Sequence, residues 1–83
     1  MTEEEYWDRM HGINAWKEKQ EDKALSWLDK QRNNLDEYKC PETKDLYVAL
    51  LTDLKNRYNA ICRSIEQQWT EMFKTIENES RKS

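Results

Sequence analysis

The chain has 83 residues, 37% of them charged and 36% hydrophobic, with 17 acids against 14 bases and a formal charge of −3. A chain of this length makes one domain, residues 1–83, with a modest core. The two signs of charge are interleaved, so there is no broad positive field to draw in DNA or RNA phosphates, and no run approaches the ~18 apolar residues of a membrane span.

Thr2 with Glu5 three residues later is a capping-box pattern, which predicts a helix from about residue 3. Tyr6, Met10 and Ile13 then share one face, with Trp7 beside them. Gly12 is a candidate break and Asn14 a candidate fresh cap. Two readings are open: one helix over 3–38, or a short helix over 3–11 followed by a longer one over 14–38. A glycine inside a helix costs about 1 kcal/mol, which permits either. Lys17 to Lys23 holds no apolar residue; Ala24, Leu25, Trp27, Leu28, Leu35 and Tyr38 then resume the apolar face, with Gln31 among them.

Cys40-Pro41 closes this half. The residue before a proline is pushed from helical angles, and proline suits the first turn of a new helix. The second helix is expected over about 42–78, with Glu42 and Asp45 at the positive pole of its dipole. Its apolar seam is long: Tyr47, Leu51, Leu54, Tyr58, Ile61, Ile65, Met72 and Ile76 recur at helical spacing, broken only at Gln68, where Trp69 stands alongside. A connection of about three residues predicts an antiparallel pair.

The expected fold class is therefore all-α, an antiparallel helical hairpin. Val48, Leu50, Cys62, Trp69 and Phe73 lie at or beyond the edges of the second seam, and Trp7, Leu25 and Trp27 do so on the first half. A hairpin buries one seam and leaves its flanks wet. That surplus predicts a homo-oligomer, by default a dimeric four-helix bundle.

Catalytic and cofactor chemistry finds little to build on. His11 is the only histidine, and no nucleophile has a visible base with an orienting carboxylate. Cys40 and Cys62 stand alone without a CxxC pair, there is no Glu-x-x-His motif, and a single glycine excludes a phosphate-cradling loop. No enzyme, metal or cofactor is expected. The N-terminus is acidic and lacks an apolar signal region, which predicts a cytoplasmic chain with reduced thiols.

Aromatic rings beside bases carry the binding expectation. Tyr6 and Trp7 precede Asp8-Arg9, Trp16 precedes Lys17 and Lys19, and Arg57-Tyr58 and Arg63 lie on the long helix. A flat ring beside a cation is what a nucleobase with a phosphate requires. Tyr58 sits in the seam and reads as core. Tyr6 and Trp7 are adjacent on a helix and point in different directions, so one of them has to find a partner outside the hairpin.

Cys40-Pro41-Glu42-Thr43-Lys44-Asp45, with Ala49-Leu50 and Ala60 following, resembles a segment of the phage anti-CBASS sponge family. The likeness covers about twenty residues. Lys55-Asn56-Arg57 and Asn59 depart from the pattern. The resemblance implies a small, helical, oligomeric protein that sequesters cyclic-nucleotide signals of bacterial defence systems. It implies Tyr6 as the residue that stacks on a base and Lys23 as a phosphate ligand, with Arg57 or Arg63 supplied by a neighbouring subunit. Trp7 completes the candidate ligand-binding set, read from its place beside Tyr6 and Arg9. The alternative is a helical adaptor or inhibitor that binds a host protein through its Trp- and Tyr-rich faces.

Overall fold

The computed structural model describes residues 1–82 and is an antiparallel hairpin of two long helices, α1 (Glu3–Asn34) and α2 (Lys44–Lys82). Two 3-10 turns, Asp36–Tyr38 and Pro41–Thr43, join them, and no strand occurs among the described residues. At ~1.5 Å of rise per residue the helices are about 48 and 58 Å long. The whole is a flat rod of 64 × 16 × 9 Å.

The Thr2 side chain accepts from the Glu5 amide at 3.2 Å, as the capping-box pattern predicts. Glu3, Glu4 and Glu5 fill the first turn, where the helix dipole favours negative charge. Of the two readings for the first half, the continuous helix is the one found: α1 runs through Gly12 without a break. It stops at Asn34 and not near residue 38. Asn33 and Asn34 are weak helix formers that compete for backbone hydrogen bonds, and the Leu35 amide turns back onto the Arg32 carbonyl at 3.0 Å.

The connection, residues 35–43, is longer than the three residues expected. Its two turns are tied by Thr43, whose hydroxyl donates to the Tyr38 carbonyl at 2.7 Å. Pro41 opens the second turn after an extended Cys40, the role its fixed φ suits. Helix α2 begins at Lys44 and continues past residue 78 to Lys82, since no glycine or proline follows to stop it.

The core is the line of contact between the helices. Met10 and Ala24 from α1 and Leu54, Ile65 and Ile76 from α2 are buried. Tyr47, Leu51, Tyr58, Ile61 and Met72 are half-buried around them, and Gln68 is exposed where the seam missed its beat. No large side chain among the described residues is completely enclosed. Two helices side by side have no third wall, so every core residue keeps one flank near water.

The charged stretch that interrupts the α1 stripe is bridged by polar contacts. Lys17 and Gln20 are half-buried at the seam. Lys17 reaches Glu66 at 3.1 Å and lies 4.9 Å from the centre of the Trp69 ring. The Trp69 indole donates to Asn14 Oδ1 at 3.0 Å, and its ring stacks on Phe73 at 5.4 Å. Towards the chain ends, Tyr6 donates to Glu77 Oε1 at 2.6 Å and Arg9 pairs with Glu79. Tyr6–Glu77, Asn14–Trp69 and Lys17–Glu66 share one offset between the two helices of the hairpin. Polar pairs thus hold the register where apolar contacts are sparse.

Candidate binding groove

The open face of the hairpin carries a groove of about 190 Å³ lined by Trp27, Gln31, Leu35, Leu50, Asp53, Leu54 and Arg57. Leu35 is placed by the tight turn that ends α1, and Leu50 and Leu54 by successive turns of α2. Trp27 is half-buried, which gives the groove a flat ring on one wall. Arg57 stands across from it and is tied along its own helix to Asp53 by an Nε–Oδ2 contact of 3.0 Å. Both partners of that ion pair are mostly exposed, so it is weak and can be displaced. The groove therefore offers a stacking surface, an apolar floor and a guanidinium whose fork is only partly engaged.

A single chain does not gather the five expected ligand residues. Tyr6 and Lys23 lie on one helix about 25 Å apart by helical rise. Arg57 sits about 30 Å further along the rod than Tyr6. Tyr6 is half-buried against Glu77 at the open end, and Trp7 packs edge-on against Tyr6 with its own side chain 52% exposed. Lys23 and Arg63 are exposed at nearby levels of the rod. Arg57 alone of the five lines the groove.

Sequence reasoning placed Trp27 at the edge of the α1 stripe but did not bring it to Arg57. Nor did it single out Asp53. The signal linking them is the hairpin register, which depends on pairs such as Asn14–Trp69 that are remote in sequence.

Two tyrosines carry perturbed phenols. Tyr6 is raised above the usual value of 10.0, chiefly because its hydroxyl donates to Glu77 and the ionised phenolate would face that carboxylate. Tyr58 is raised chiefly by the neighbouring Cys62 side chain, and further by burial and the Cys62 and Glu21 charges. A phenol raised on folding contributes stability that is complete below its unfolded value and disappears as pH climbs through the folded one. The hairpin should therefore lose stability above about pH 10. Tyr6→Phe should be less stable at neutral pH, where the hydrogen bond is gone, and should flatten the alkaline limb of a urea-midpoint titration. An unchanged limb in Tyr6→Phe would show that the Glu77 contact does not hold the helix ends together.

His11 is exposed, and no group of three His, Cys, Asp or Glu side chains suited to a metal occurs among the described residues. Both cysteines are free thiols, Cys40 exposed and Cys62 half-buried. No described helix is long and apolar enough to cross a membrane. The chain matches no family model, no curated protein and no solved structure.

Proposed function

We propose that this chain is a non-enzymatic helical binding protein that works as an oligomer and sequesters a cyclic-nucleotide-like signal, in the manner of a phage counter-defence protein acting in a reducing cytoplasm. The observation that carries this reading is the meeting of Trp27 and Arg57 in one open groove. A base stacks on the ring and a phosphate takes the guanidinium, displacing Asp53. Drug-sized ligands occupy pockets of roughly 300 Å³ or more and are largely enclosed. At about 190 Å³ and open on one side, the groove is a fraction of such a site, and a second copy supplies the rest. Tyr6, Trp7, Lys23 and Arg63 reach the ligand only from that neighbouring copy.

Calorimetry against a panel of cyclic di- and trinucleotides tests the proposal. At least one member should bind. Arg57→Ala and Trp27→Ala should each weaken it tenfold or more, and Asp53→Asn, which frees Arg57, should strengthen it by up to about fivefold. No heat with any member of the panel ends the nucleotide reading.

The second reading, an adaptor or inhibitor that docks on a host protein, draws on a different set of residues. Trp7, Leu25, Leu46 and Val48 are all about half exposed, and none of them lines the groove. An exposed tryptophan such as Trp7 is the kind of anchor that protein interfaces favour, and the aliphatic side chains add apolar area around it. On this reading Trp7→Ser abolishes a stoichiometric complex with a purified host protein while Arg57→Ala leaves it intact.

A further inference from the structure

Gly12, the only glycine in the chain, sits inside α1 with nothing in the hairpin to require it. Its backbone is ordinary helix and has no positive φ. A Cβ placed on it would meet nothing within 4 Å. An alanine would fit and would be the better helix former. The hairpin therefore carries a weak point that its own packing does not explain.

The surroundings of Gly12 supply an explanation. With Ile13, Met72, Thr75 and Ile76 it lines a cleft of about 340 Å³. Met72 and Thr75 continue into a second cleft of about 450 Å³ walled by Trp16. The two form one trough between the helices, with Gly12 as the place where its wall is lowest. Small residues of this kind let another backbone approach closely.

The exposed area says how much cover is missing. A compact monomer of this mass, 10.2 kDa, exposes about 5,300 Å². This chain exposes 6567 Å², a surplus of roughly 1,200 Å² over the compact form. One side of a standard interface covers about 800 Å². The surplus is about one and a half times what one side of a standard interface covers, so one docked neighbour removes most of it.

We propose that a second copy of this chain seats a helix in the Gly12–Trp16 trough, with Gly12 kept small so that the helix can lie close. This rests on the reading that copies assemble, and does not depend on what the assembly binds. Sedimentation of the full chain over a concentration series tests it, alongside urea unfolding of the same samples. The parent should associate. Gly12→Ala should raise the urea midpoint of the dissociated chain yet weaken association tenfold or more, and Gly12→Leu should abolish it. An associating parent whose Gly12→Ala and Gly12→Leu variants assemble equally well would overturn this face while leaving the oligomer intact. A parent that stays monomeric at every concentration would remove the oligomer along with it. Loss of nucleotide binding without loss of assembly would touch only the function proposed above.

Discussion

Ile76→Ala should lower the unfolding free energy of the hairpin by about 2–4 kcal/mol, the range for deleting a buried aliphatic side chain. Ile76 is the most enclosed residue described, at 2% exposure, and lies where α2 passes Ile13 and Gly12. Only five of the described residues are buried, so each carries a large share of the interhelical contact. A small domain holds only a few kcal/mol of net stability, and the loss of one such side chain removes much of it. Val48→Ala is the control: a half-exposed valine on a flank should change the urea midpoint by less than about 0.5 kcal/mol equivalent. Equal midpoints for Ile76→Ala and the parent would mean that the contact between the helices is not what stabilises the chain.

The next largest effect falls on the Trp69 cluster. Trp69→Ala removes the indole hydrogen bond to Asn14, the ring beneath the Lys17 ammonium and the stack on Phe73 at once. The ring is half-buried, so the expected loss is about 2–3 kcal/mol, below the full-burial range for an aromatic. Trp69→Phe keeps a ring for the lysine and for Phe73 but has no N–H, and should lose about 1 kcal/mol. Asn14→Ala should lose a similar amount. Because both changes break the same hydrogen bond, the double variant should fall short of their sum by about 0.5–1 kcal/mol. Strict additivity in that cycle would show that the pair makes no contact in solution. The cluster also sets alignment: Lys17 to Lys23 offers no apolar residue to choose a register, so Trp69→Ala should broaden the backbone amide spectrum as the helices slide.

The groove and the trough are each walled by residues of both helices, and this gives the two proposals a common physical origin. A layer two helices wide and 9 Å thick has no enclosed interior. On both proposals a second chain supplies the missing wall, closing the ligand site in one case and covering the trough in the other. Arg57 and Trp27 would then hold a ligand near one end of the rod while Gly12 and Trp16 hold the neighbouring copy towards the other.

Local signals in the sequence were enough to determine the helical class, the start of α1 at its Thr2 cap, the division at Cys40-Pro41 and the α2 seam from Tyr47 to Ile76. Each of these depends on residues within a few positions of one another: a hydroxyl and an amide three apart, a ring that fixes φ, or side chains repeating every third or fourth place. The continuity of α1 through Gly12 was decided by the tertiary structure, because α2 runs alongside both sides of the glycine and outweighs the small propensity loss. The early end of α1 at Asn34 and the longer connection follow from turns whose hydrogen bonds, Thr43 to Tyr38 among them, have no periodic signature. The meeting of Trp27 with Arg57 and of Lys17 with Glu66 came from the register alone. Periodicity states which face of a helix is apolar, and is silent on which residue of another helix stands opposite.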